Sequence, residues 1–162
     1  RFHEEYAKNL QNDSLFWGVW IDNMFDYGSS RRAYGVNGAG LVTLNRRECK
    51  DAYYLYKAMW NKEEPTLHIV DKRRRLRDYD MQAFRVYSSA GVPTLVVGTD
   101  TLAMNEYAPC QYRSDSVSLR GKTEVKAAAG ELRDSVTILV GNVLKPKRTP
   151  VLRRTTGPQT TN

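Results

Sequence analysis

Between positions 15 and 21 the chain reads Leu15-Phe16-Trp17-Gly18-Val19-Trp20-Ile21, seven residues without a polar side chain. A strand that shows one face to water alternates, so this unbroken run predicts a strand covered on both faces. Seven residues are few for a helix, and Gly18 disfavours one. Such a strand needs paired neighbours at both edges and helices above and below. The flanking sequence offers little of this. Good helix formers predict a helix over 3–12, with Tyr6 and Leu10 one turn apart. A second helix is predicted over 48–60, where Ala52, Leu55, Tyr56, Met59 and Trp60 follow the i, i+3, i+4 rule. Between them lie a loop with glycines at 28, 35, 38 and 40 and a short extended piece from Leu41 to Leu44. Helix, buried strand, glycine loop and helix make the tail of an α/β unit, too little to close a sheet. The chain also opens on Arg1 and not on Met. The expectation is a fragment of something larger.

After Glu63-Glu64-Pro65 the pattern changes. Thr66 to Val70, Gln82 to Ser88 and Pro93 to Val97 are strand candidates, and Asp71 to Asp80 is a charged connection. Further on the alternation is plain. Val117 and Leu119 face one way, Val125 and Ala127 oppose Glu124 and Lys126, and Val136, Ile138 and Val140 oppose Ser135 and Thr137. Turn signals sit at 120–122 and 130–134. About seven short strands over 66–140 suit a small antiparallel sandwich. From Asn142 onward Pro, Thr, Lys and Arg dominate without a period, and residues 142–162 are expected to be a disordered tail.

Charge placement excludes some functions. The chain carries +7, but residues 141–162 hold five basic residues and no acid, leaving +2 for the preceding 140. The run Lys72-Arg73-Arg74-Arg75-Leu76-Arg77 is flanked by Asp71, Asp78 and Asp80 and has no aromatic nucleic-acid motif beside it, so it reads as a solvated loop and not as a nucleic-acid face. Cys49, Cys110, His3 and His68 are too scattered for a zinc site or a disulfide framework, and the thiols read as buried or half-buried. No metal or other cofactor is expected. No apolar run reaches the length of a membrane span.

Two ordered blocks then carry a resemblance. Trp17-Gly18-Val19-Trp20-Ile21-Asp22-Asn23-Met24-Phe25-Asp26-Tyr27 resembles the last barrel strand of family 2 glycoside hydrolases of the β-galactosidase type. Gly40-Leu41-Val42-Thr43, Arg46-Arg47, Lys50-Asp51-Ala52-Tyr53-Tyr54 and Tyr56-Lys57-Ala58-Met59-Trp60 are similar to the stretch that follows it. More weakly, Phe84-Arg85-Val86-Tyr87-Ser88 and the segments around 125–130 and 134–138 resemble the immunoglobulin-like domain that follows the barrel. The resemblance implies an α/β fragment, the last strand and helix of a (β/α)8 barrel over 1–62, followed by an all-β immunoglobulin-like sandwich over 66–141. It implies a retaining β-glycosidase acting on oligo- or polysaccharides, in a secreted or periplasmic bacterial enzyme. Its two carboxyls must stand about 5–5.5 Å apart, one attacking the anomeric carbon while the other protonates the leaving oxygen. In the family both lie on earlier strands, so no catalytic residue is expected here and the fragment alone should be inactive.

Barrel sites lie at the C-terminal ends of the strands. The resemblance therefore places Asp22 and Asn23 at the rim of the sugar pocket, with Trp20 on the same strand face one layer deeper, Asn37 on a loop within reach and Trp17 in the core. The family usually has a Trp where Asp22 stands. Asp22 is expected either to bond a sugar hydroxyl or to cap the strand end, and Asp26 to be structural. Asp22 and Asp26 on an unbroken strand would be about 13 Å apart, too far for a retaining pair. Glucuronidases of the family carry a Lys near the position of Asn37. Here Gly38-Ala39-Gly40 follows, which argues against uronic acids. The expected partners are a carbohydrate substrate and the rest of the barrel. The alternative is a non-catalytic module, a sandwich that binds carbohydrate or protein, with Tyr87, Tyr107 and Tyr112 as available aromatics.

Overall fold

The computed structural model describes residues 2–11, 15, 17–32 and 34–141; the tail expected over 142–162 lies outside them. In chain order the elements are α1 (Phe2–Gln11), β1 (Tyr27–Gly28), β2 (Val36–Asn37), α2 (Asp51–Trp60), β3 (Leu67–Ile69), β4 (Leu76–Arg77), β5 (Met81–Gln82), β6 (Arg85–Ser88), β7 (Thr94–Val97), β8 (Asp100–Leu102), β9 (Met104–Ala108), β10 (Gln111–Ser114), β11 (Val117–Ser118), β12 (Gly121–Ala129) and β13 (Leu132–Val140).

Two sheets face each other over 66–140. One has the order β3-β6-β10-β9, the other β4-β13-β12-β7-β8, and β11 pairs with β5 beside them. The long hairpin β12–β13 turns at Gly130, whose φ of 56° sits in the left-handed region that glycine reaches without strain. Its alternation does what period two requires. Val125, Ala127 and Ala129 on β12 and Val136, Ile138 and Val140 on β13 point inward, and their neighbours face water. With Ile69, Phe84, Val86, Leu95, Val97, Met104 and Tyr112, the side chains of Val125, Ala127, Val136, Ile138 and Val140 form one core between the sheets.

The first sheet is also covered on its outer face. Along β6 three successive residues, Val86, Tyr87 and Ser88, are buried. Val86 belongs to the core between the sheets, while Tyr87 joins Ala7, Leu41, Leu55, Tyr56, Ala58, Met59 and Val70 in a second cluster. α2 lies over β3 and β6 and α1 over α2, so this strand meets no water on either side. α1 is held by charge as well. The Glu4 carboxylate accepts from Arg85 Nη1 at 2.6 and 2.7 Å and from the Tyr87 hydroxyl at 2.7 Å. Burial opposes its ionisation, but the Tyr87 hydroxyl and the Arg85 charge outweigh that and hold the carboxyl below its usual range. At the start of α2, Asp51 accepts from His68 at 2.8 Å and from the Asp71 amide at 3.1 Å.

Three expectations need correction. Strands are more numerous than seven, because the short β8, β9 and β10 carry exposed polar residues that hide their period. The charged connection over 71–80 is not solvated throughout: β4 pairs in parallel with β13 and Arg77 is 8% exposed. The strand expected over 15–21 is absent at the described positions 15 and 17–21. Leu15, Trp17 and Trp20 are 87%, 88% and 77% exposed. An apolar run becomes a buried strand only when edges pair with it and layers cover it; here only Ile21, at its end, packs against the second cluster, and both tryptophans stay exposed.

Candidate functional site

The segment after this run is ordered by a short parallel pairing. The Leu41 amide donates to the Asn23 carbonyl at 3.0 Å, the Val42 amide to Met24 at 2.9 Å, and the Asp26 amide to Val42 at 2.9 Å. Gly40 makes this approach possible, since a Cβ there would lie 2.2 Å from the backbone of Phe25 and Asp26. Only a residue without a side chain fits. The Asp26 carboxylate fastens the same junction, accepting from Lys50 Nζ at 2.5 Å and the Gly40 amide at 2.9 Å. Asp26 is therefore structural, as its sequence context suggested. Lys50 also donates to the Gly38 carbonyl at 2.9 Å.

The expected site residues fall into two groups. Asn37, half-buried on β2, donates from Nδ2 to the Tyr27 hydroxyl at 2.7 Å across the β1–β2 pair, and its Oδ1 accepts the Ala39 amide at 3.1 Å. Asn23 is partly buried and tied through its main chain to Leu41. These two are positioned. Asp22 is exposed, and its side chain makes no hydrogen bond or ion pair among the described residues, so it neither caps nor bridges. Trp20 packs edge to face against Trp17 with ring centroids 5.5 Å apart, both rings standing in solvent. Trp17 is thus not the core residue expected: its only described ring contact is Trp20, and it stays 88% exposed. Tyr34 is 95% exposed, and Phe25 lies under the Arg46 guanidinium at 4.8 Å.

Sequence reasoning missed Tyr27 and Lys50 as partners at this site. Their spacings from Asn37 and Asp26 carry no local signal. The signal that was available is Gly40, a glycine followed at once by an apolar pair. The two thiols are half-buried as expected, with Cys110 Sγ 3.4 Å from the Ala58 carbonyl. Among the described residues no group of His, Cys, Asp and Glu side chains could hold a metal ion, and no helix is long and apolar enough to cross a membrane.

The chain is homologous to glycoside hydrolases of the β-glucuronidase and β-galactosidase type. It is 35% identical over 134 residues to a β-glucuronidase of Bacteroides fragilis, covering 80% of this chain and 18% of that protein. Among solved structures it superposes on the FMN-binding β-glucuronidase of Faecalibacterium prausnitzii L2-6 with a TM-score of 0.77 at 30% identity, and on a Bacteroides fragilis protein assigned provisionally as a β-galactosidase with 0.78 at 29%. Each match covers 86% of this chain and 22% of the other. A β-glucuronidase of Bacteroides uniformis, at 20% identity and a TM-score of 0.70, shares the fold. The chain spans about a fifth of the length of these relatives. No protein-family model matches it.

Proposed function

We propose that the chain is the C-terminal portion of a retaining β-glycosidase of family 2. In this reading residues 1–62 close the catalytic (β/α)8 barrel and residues 66–141 form an immunoglobulin-like buttress. The observation that carries it is the exposure of Leu15, Trp17 and Trp20 beside an ordered Met24–Asp26 pairing. Exposed tryptophans on an unbroken apolar run are what a barrel strand shows when its neighbouring strands are not beside it. The homologues, five times longer, supply the context.

Asp22, Asn23, Trp20 and Asn37 would then line the rim of the sugar pocket, with Tyr27 holding Asn37. The catalytic carboxyls would lie on earlier strands, one as nucleophile and one as acid and base. The substrate favoured is a neutral β-glycoside. Among the described residues, the lysine held at the Asn37 loop, Lys50, is already engaged by Asp26 and the Gly38 carbonyl, so it is not offered to a uronate. That the relatives are named β-glucuronidases makes this the point to test. The coding DNA on the 5′ side of Arg1 should continue in frame through strand–helix units with two Glu at strand ends. The enzyme so encoded should turn over aryl β-galactosides faster than aryl β-glucuronides, and Asp22→Ala should lower its kcat/KM by about tenfold or more. Preference for the glucuronide, or an Asp22→Ala enzyme unchanged in kcat/KM, would defeat this assignment.

A second reading, a non-catalytic carbohydrate-binding module, is favoured by one feature. Trp17, Trp20 and Tyr34 are exposed aromatics of the kind on which sugar rings stack. Titration of the chain with galactans separates the two, since the buttress reading expects no heat.

A further inference from the structure

A cavity of about 630 Å³ opens between α1, the 71–83 connection and strands β6, β9 and β10. Its volume is that of small-molecule sites. Four guanidiniums line it, from Arg74, Arg77, Arg85 and Arg113. Two are matched. Arg85 grips Glu4 and reaches Asp71 at 2.9 Å, and Arg74 faces Asp78 at 3.9 Å. Arg77 is different. It is 8% exposed yet meets no carboxylate: Nε donates to the Arg74 carbonyl at 3.3 Å, Nη1 donates to Gln82 Oε1 at 2.9 Å, and buried Nη2 has no partner among the described residues. Gln82 is itself fixed, its Nε2 donating to the Tyr79 carbonyl. Arg113 likewise makes no ion pair among the described residues. Glu5, exposed on α1, is the one remaining acid on the lining.

A buried guanidinium with neither a counter-ion nor a full set of acceptors is costly. Burial pushes its pKa down, yet arginine stays protonated, so the charge calls for an anion. Its planar fork matches carboxylate and phosphate oxygens in pairs. Tyr79 and Met81 line the cavity with exposed side chains, 73% and 55%, that carry no hydrogen bond. Their exposed side chains offer apolar surface to a ligand held at the Arg77 guanidinium.

We propose that this cavity binds a small ligand with an oxyanion group, a phosphate monoester or a carboxylate, anchored by Arg77 and Arg113. The proposal is independent of the glycosidase reading. The test is calorimetric titration of the full chain at low salt with phenyl phosphate, benzoate and, as the neutral control, benzyl alcohol. At least one anion should saturate a single site while benzyl alcohol gives no heat. Phosphate alone binding identifies a phosphate monoester site, and comparable binding of both identifies general oxyanion recognition. Arg113→Gln, an exposed change that leaves the fold intact, should weaken binding about tenfold, and Arg77→Gln should abolish it. Arg120→Gln, away from the cavity, should change nothing. Should Arg77→Gln fail to fold, the contrast between Arg113→Gln and Arg120→Gln decides. No saturable heat from either anion, or equal losses in these two variants, would overturn the proposal.

Discussion

The sandwich over 66–140 and the segment over 15–28 carry apolar residues in two different arrangements and meet opposite fates. In the sandwich polar and apolar residues alternate along β12 and β13, so each strand brings its own solvent face and needs only one partner layer. The opposing sheet supplies that layer, and Leu95, Val125 and Ile138 are wholly buried. Along 15–21 there is no polar alternation, so the segment needs two layers and paired edges. Among the described residues only Ile21 gains a covering layer, against the α1–α2 cluster, and the tryptophans stay in water. An alternating strand can be completed within a short chain. An unbroken apolar one depends on the rest of a larger fold.

Substitutions sharpen this contrast, and the largest effect belongs to the sandwich core. Phe84, 1% exposed, should cost about 3–5 kcal/mol when changed to Ala, read as a shifted midpoint in urea unfolding with an unchanged slope. Next is the clamp on α1. Glu4→Gln leaves Arg85 short of a buried partner and should cost about 2–3 kcal/mol, with hydrogen exchange rising in α1 and α2 but not in β12 and β13. If exchange rises equally everywhere, the two clusters unfold as one and the contrast fails.

Acid should reach the same clamp without mutation. Burial holds the His3 imidazole below 6.5, and Glu4 and Asp51 are held below their ordinary values against the opposing effect of burial, by Tyr87 and Arg85 for Glu4 and by His68 for Asp51. A group with a lowered folded pKa is protonated more readily in the unfolded chain, so the stability it contributes is lost as pH falls. His3 acts first, below about pH 6.5, and the two carboxyls follow below their usual range near 4. The α1–α2 cluster should therefore loosen before the sandwich core on acidification, seen as an early loss of its amide protection. A single transition, simultaneous at every amide, would contradict this.

The smaller effects lie at the front. Gly40→Ala should cost about 1–3 kcal/mol by forcing the Leu41–Val42 backbone away from Phe25 and Asp26, with the amides of Asp26 and Val42 exchanging faster. Trp17→Ser should alter stability by no more than about 0.5 kcal/mol. It should nevertheless lower self-association in light scattering, since exposed apolar patches drive contact between chains. A large loss of stability in the Trp17 variant would mean that the ring is buried after all.

Much of the fold was legible. The helix expected over 48–60 forms at Asp51–Trp60 and that over 3–12 at Phe2–Gln11, because turn-by-turn apolar spacing is a local property. The hairpin around Gly130 and the inward set Val125, Ala127, Val136, Ile138 and Val140 were equally plain. β8 to β10 were not, since exposed Glu106 and Tyr107 on β9 and Arg113 on β10 blur the alternation. Of the candidate site, Asn37 and Asn23 are held in place, whereas Asp22 and Trp20 are exposed, Trp20 against Trp17.

The sequence by itself determined where the chain can bury a face: period two along the hairpin, period 3.6 along α2, a glycine where two backbones touch. These follow from side-chain direction and backbone sterics over a few residues. Only the tertiary structure decided which distant charges meet. Arg85 could have paired with any acid, and it took Glu4, 81 positions away. Arg77 looked like one more solvated cation in a basic run and ended buried beside β13 without a carboxylate. Burial and charge pairing depend on the path of the whole chain through space. No window of sequence records that path.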